Sequence, residues 1–164
     1  KARLSKKKKT ISLDTFFYPL DGIGNWNKMY GRDGFIQYQI SIPDNSAHLI
    51  RLILEKFSEQ RIPSFLSVLK RFGPQGDGML SFPSKGWTLA VDIPAGVEGL
   101  GELLDELDEK VVEAGGRIYF AKDSRMNSRY VKEMYPLIDE FRDVKRTVDV
   151  HNVFQSNLSR RLGL

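Results

Sequence analysis

Residues 34–42 restrict the fold more than any other stretch. Ile36, Tyr38, Ile40 and Ile42 alternate there with Phe35, Gln37, Gln39 and Ser41. Alternation with period two is the mark of a half-buried strand. Such a strand needs a sheet with one dry face and one face left for water, a ligand or another domain. Pro43-Asp44 follows with a stop and a candidate N-cap, and Ala47, Ile50, Leu54 and Phe57 then recur at helical spacing with charges between them.

The same grammar continues along the chain. Residues 64–72 read as a second strand, 73–86 as a long Gly- and Pro-rich loop, and 87–93 as a third strand closed by Pro94. Leu100, Leu103, Leu104, Leu107 and Val111 predict a second amphipathic helix that stops at Gly115-Gly116. Residues 117–120 make a short fourth strand. The order is βαββαβ, so the spacing predicts an α+β fold: a ferredoxin-like antiparallel sheet with both helices on one face. A C-terminal helical segment follows, predicted over 127–135, over 136–145, and in a helix carrying Val150, Phe154, Leu158 and Leu162.

Composition sets limits on function. With 164 residues, 41% of them hydrophobic, the chain can bury one ordinary core. It has no cysteine, which excludes disulfides, thiolate metal sites and cysteine nucleophiles and leaves either side of a membrane open. No apolar run is long enough for a spanning helix. The expected location is cytoplasmic or peripheral to a membrane, with the periplasmic face left open. The chain opens on lysine, which reads as a processed or excised piece of something longer.

The net charge of +4 is concentrated at one end: Lys1, Arg3, Lys6, Lys7, Lys8 and Lys9 supply six of the 25 basic residues. The remainder carries 19 basic against 21 acidic residues, so the body of the protein is not basic. Residues 1–14 read as a solvated basic lead-in, with contact to anionic headgroups as the sharper alternative.

Two helices cover one face of the sheet, and the other should present Gln37, Gln39, Thr88 and Ala90. Leu66, Val68, Lys70 and Phe72 of the second strand would lie beside them. Amides bond hydroxyls, an ammonium meets a phosphate, and a ring packs on a sugar face, so this is the composition of a sugar-phosphate site. The bland alternative is that the glutamines face water and Lys70 only lays its stem over apolar neighbours. The loop after the fourth strand concentrates Lys122, Asp123, Ser124 and Arg125, a set able to hold the polar edge of a cofactor.

Other chemistry finds no support in the sequence. His48 and His151 lack partners at metal or triad spacing, and the short glycine clusters lack the strand-then-helix context of a phosphate loop. Asp105, Glu106, Asp108 and Glu109 read as a solvated helix face.

Several blocks occur together in one family: Phe17-Tyr18-Pro19-Leu20-Asp21, Trp26 to Gly31, Gly34 to Gln39, Val68 to Pro74, Leu80 to Pro83, Gly86-Trp87 and Gly115 to Arg125. Val148-Asp149, Val153 to Ser156 and Leu158 to Leu162 extend the match. From about Thr15 onward the chain resembles the C-terminal part of the decaprenylphosphoryl-β-D-ribose 2′-oxidases, FAD-linked enzymes of the aldonolactone and alditol oxidase family.

The resemblance implies that residues 1–116 belong to a substrate (cap) domain. Residues 117–164 would form a return segment completing an FAD domain, most of which is absent here, so this piece alone should be inactive. It implies that Lys122 approaches the flavin pyrimidine edge with Tyr119 beside it, and that Lys122 offsets negative charge there. The plain alternative for Lys122 is a salt bridge to Asp123 or another carboxylate. Gln37, Gln39, Lys70 and Phe72 would line the sugar pocket. Phe17 stands where the family often has tyrosine, Thr88 at a family asparagine, and Ala90 at a cysteine typical of mycobacterial members. The implied partners are the FAD domain of the same parent, a polyprenyl-phosphate sugar as substrate and a keto-sugar reductase acting next. No base is visible in this chain, so the acceptor of the hydroxyl proton is expected elsewhere.

Two rivals remain at this stage. One is oxidation of a small unphosphorylated aldonolactone or alditol. The other is a non-enzymatic ferredoxin-like module with a basic tail. Nucleic acid is not an expected partner, since the sheet lacks the exposed aromatic pair of an RNA-binding sheet.

Overall fold

The alternating stretch forms β1, Phe35–Pro43, in a computed structural model that describes residues 10–164. The cluster Lys1, Arg3 and Lys6 to Lys9 lies outside the described residues. Two compact units divide the chain, one ending at Arg32 and one spanning Asp33–Leu164.

In the first unit, α1 (Leu13–Phe17) is capped by Ser12, whose hydroxyl accepts from the Thr15 amide. It begins inside the stretch read as a lead-in. Two 3-10 turns follow, Pro19–Gly22 and Trp26–Tyr30. The rings of Trp26 and Tyr30 meet edge-on with centroids 6.2 Å apart.

The second unit holds α2 (His48–Glu59), β2 (Ser67–Phe72), β3 (Gly86–Pro94), α3 (Leu100–Glu113) and β4 (Arg117–Ile118). It ends with α4 (Val131–Met134), α5 (Ile138–Val148) and α6 (Asn157–Leu162). The strands make one antiparallel sheet in the order β2-β3-β1-β4. The predicted α+β class and antiparallel sheet are what is observed. Apolar positions of β1 and β3 (Ile40, Ile42, Leu89, Val91, Ile93) bury against Ile53 and Phe57 of α2 and against Leu104, Leu107 and Val111 of α3. Each such side chain contributes about 1.5–3 kcal/mol when fully withdrawn from water. Lys56 of α2 also donates to Glu106 of α3 at 2.7 Å.

Glycine is required where the loop enters β3. Gly86 sits at φ +154°, and a Cβ there would lie 2.1 Å from the Ile42 carbonyl oxygen. The backbones pack too closely for any side chain.

Four local expectations are corrected. Asp44 does not cap α2; it opens a 3-10 turn (Asp44–Ser46) and pairs instead with Arg71 of β2. Leu54, read as a core position, is exposed, because α2 buries Leu49, Ile50, Ile53 and Phe57. Val150 and Phe154 are not helical: Asp149 accepts from the amides of Val153 and Phe154 and curls the chain there, leaving Phe154 80% exposed. Helix α6 begins only after the reciprocal Ser156–Ser159 capping box.

The fourth correction concerns Asp108, read as solvated and found fully buried on the core side of α3. Arg125 reaches it at 2.8 Å and also pairs with Asp105. The other Asp108 oxygen and the Tyr38 hydroxyl are buried near one another, and among the described residues neither meets a further polar partner. Burial pushes the Asp108 carboxyl up to about 6, against the lowering effect of Arg125. Among the described residues no helix is long and apolar enough to cross a membrane.

Two outcomes follow. Gly86→Ala should lower unfolding free energy by about 3 kcal/mol in urea titration, since backbone has to shift to admit the methyl group. A raised carboxyl pKa favours the folded state when protonated, so the Asp108 contribution is greatest near pH 4 and is lost as pH rises through about 6. Between pH 4.5 and 7, wild type should therefore lose on the order of 2 kcal/mol that Asp108→Asn does not lose.

Candidate functional site

Register decides which side chains share the face away from the helices. Gln37 stands opposite Asp92, Gln39 opposite Ala90, and Ser41 opposite both Thr88 and Arg117. On the far side of β3, Val68 pairs with Ala90 and Lys70 with Thr88. Directly opposed residues point to the same side, so Gln37, Gln39, Lys70, Phe72, Thr88 and Ala90 lie on one surface.

Hydrogen bonding fixes the two glutamines. Gln37 Nε2 donates to Asp92 Oδ1 at 2.6 Å, and Gln39 Nε2 donates to Thr88 Oγ1 at 3.2 Å. Each amide thus uses its donor end within the sheet, which leaves its carbonyl oxygen as the group able to accept from a hydroxyl. Lys70 is exposed and, among the described residues, has no ion-pair partner.

The long loop 73–86 closes one end of this surface, which the sequence suggested would be open. Phe82 is only 4% exposed: its ring stacks on Tyr119 with centroids 4.4 Å apart and meets Phe72 edge-on at 5.7 Å. Ser84 bonds Ser41 at 2.8 Å. Arg117 donates to the Ser81 carbonyl at 2.6 Å and to Gln75 Oε1 at 2.7 Å, with its guanidinium 5.7 Å from the Tyr135 ring centroid. Burial lowers the Arg117 pKa, with neighbouring Tyr135 opposing the shift. Ser41 and Thr88 are buried, so Thr88 faces Gln39 rather than a ligand.

At the β4 edge the Tyr119 amide donates to the Gln39 carbonyl at 3.0 Å, carrying the ladder one residue past β4. The chain then turns, with the Lys122 amide bonded to the Tyr119 carbonyl at 3.0 Å. Gln37, Gln39, Tyr119 and Lys122 border a crevice of about 10 Å³ together with Ile36, Tyr38, Leu104 and Ile118 of the core side and with Asp123, Ser124 and Arg125 of the turn. That is room for about one water. Lys122 is exposed and makes no ion pair among the described residues. Asp123, its suggested partner, is taken by Arg161 at 2.7 Å.

Lys70 on β2 and the crevice at β4 lie on opposite edges of the sheet, three strand spacings or roughly 14 Å apart. Phe17 lies in α1 of the other unit and is exposed. Three residues of this surface escaped the sequence reading. Asp92 continues the Thr88–Ala90 alternation by one step and was legible in that pattern. Phe82 was not, because loop residues carry no period that says where they fold back, and Arg117 of β4 was not, because its partners Ser81 and Gln75 lie in that same loop.

No protein-family model matches the chain. It is 43% identical over 158 residues, 96% of its length, to a protein of Mycolicibacterium smegmatis named decaprenylphosphoryl-beta-D-ribose oxidase, and covers 34% of that protein. It is 41% identical over 132 residues to a Streptomyces coelicolor protein named uncharacterized protein in mprA 5'region, covering 36% of it. The chain therefore spans about a third of the length of these curated relatives. It is homologous over nearly its whole length to the oxidase, in agreement with the resemblance carried by its motifs.

Phe82→Ala should cost about 3 kcal/mol of stability by chemical denaturation, since the ring is enclosed by two others. It should also make loop 73–86 the first site of limited proteolysis.

Proposed function

We propose that this chain is the C-terminal, substrate-side part of an FAD-dependent oxidoreductase. The parent oxidises a secondary alcohol of a sugar, at C2′ of a polyprenyl-phosphoryl-β-D-ribose, to the 2-keto form. The observation that carries this reading is that Gln37, Gln39, Tyr119 and Lys122 all border the crevice at the β4 edge, with the Lys122 ammonium unpaired among the described residues. The homologous oxidase supports the choice of substrate.

The residues present fit one edge of a flavin. An unpaired ammonium beside an aromatic ring suits a polar ring edge that gains negative charge, and a wall with room for one water leaves most of the cofactor's contacts to a separate FAD domain. When bound, the flavin supplies the hydride acceptor.

The chain's own groups do the rest. The side-chain carbonyls of Gln37 and Gln39 accept from sugar hydroxyls and orient the ring. Lys70, across the sheet, meets the phosphate, and the intervening distance of roughly 14 Å leaves space for a sugar between phosphate and cofactor edge. Phe72 packs beside Phe82 and supplies an apolar border, and Ala90 keeps the centre of the surface shallow. Lys122 offsets charge at the reacting edge from a position fixed before substrate arrives. A keto-sugar reductase would consume the product.

In the flavin-loaded parent, Lys122→Met should lower kcat by about 10²–10³-fold, the usual cost of removing one preplaced electrostatic group. Lys70→Ala should raise KM for the phosphorylated lipid sugar about tenfold and barely change KM for an unphosphorylated analogue. A KM that barely changes for either substrate would support the small aldonolactone or alditol instead. A parent that purifies without flavin removes the reading.

A further inference from the structure

We propose that Asp123 and Arg161 form a clamp that sets the position of Lys122, which makes both of them positioning residues. The turn carrying Lys122 is closed by Asp123. Its Oδ1 accepts from the amides of Arg125 at 3.0 Å and Met126 at 2.8 Å, and its Oδ2 accepts from Arg161 at 2.7 Å. The other arm of Arg161 donates to the Met126 carbonyl at 2.6 Å. Residues 123–126 are thus folded on themselves and fastened to α6.

The fastening is firm at both ends. Asp123 has a side chain only 3% exposed, so its charge needs the guanidinium in a way that a surface carboxylate does not. Arg161 comes from a helix whose start is fixed by its capping box and whose next residue, Leu162, is buried in the core. From the same closed turn Arg125 reaches back to Asp105 and Asp108 of α3. On its N-terminal side the turn hangs from the Tyr119–Gln39 bond.

Among the described residues the Lys122 ammonium has no such contact of its own, so its place is set by the backbone on either side. The last helix of the chain therefore holds the edge of a site built on the sheet. That this ammonium serves a flavin edge rests on the function proposed above; the clamp does not.

Amide hydrogen exchange read by mass spectrometry tests the clamp directly. In Arg161→Ala and Asp123→Asn, exchange across residues 119–126 should rise about tenfold or more. It should be unchanged in Arg160→Ala, since among the described residues the Arg160 side chain bonds Gln155 and Asn157 and not the turn. Arg161→Lys should recover part of the protection, and unchanged amides in α3 report that the core is intact. If Asp123→Asn fails to fold, the two Arg161 variants decide. Equal exchange in Arg161→Ala and Arg160→Ala overturns the clamp.

In the flavin-loaded parent, Arg161→Ala should lower kcat with KM within about twofold, and Arg161→Lys should restore it. If Lys122→Met slows flavin reduction but Arg161→Ala does not, the clamp does not position Lys122 and the proposal falls. If exchange accelerates while flavin reduction ignores both variants, the clamp stands and the flavin reading fails.

Discussion

The pairing of β1 with β3 from Phe35↔Pro94 to Pro43↔Gly86 governs everything built on the sheet. A slip of one residue would turn Tyr38, Ile40 and Leu89 outward and drive Gln37 and Gln39 into the core. Burial of the apolar set under α2 and α3 makes that slip very costly. The polar set is therefore presented as a consequence of core formation. Gly86 lets the register close at one end, and the Asp92–Gln37 bond ties the surface at the other.

A second constraint is electrostatic and lies at the β4 edge. Arg125 and Arg161 neutralise Asp105, Asp108 and Asp123, two of which have almost no exposure. Charges withdrawn from water in this way need their partners in place. The turn that carries Lys122 is held by α3 and by α6 at once, and among the described residues its ammonium has no ion-pair partner. Rigid support beside one free cation is the arrangement expected where charge develops during a reaction.

Strand faces were legible because period-two alternation is a direct consequence of the pleat, and Ile36 to Ser41 and Trp87 to Val91 obey it without interruption. The core of α3 was legible from its leucine spacing. What escaped was whatever depends on a distant partner. Asp108 looks like one acid among four until Arg125 arrives from seventeen positions away. Phe82 looks like a loop residue until its ring stacks on Tyr119. Helical spacing through Val150 and Phe154 misled because Asp149 captures two backbone amides, which breaks the helix locally. Gln37, Gln39, Tyr119 and Lys122 border one small crevice, whereas Thr88 is turned to an internal bond.

The most direct measurement is anaerobic titration of the full-length parent, with absorbance of the bound chromophore followed as substrate is added. A polyprenyl-phosphoryl ribose should bleach the oxidised flavin in a one-to-one ratio, with the 2-keto sugar recovered in equal amount. A chromophore that stays oxidised with that sugar, or bleaches only with an unphosphorylated lactone or alditol, would contradict the assignment.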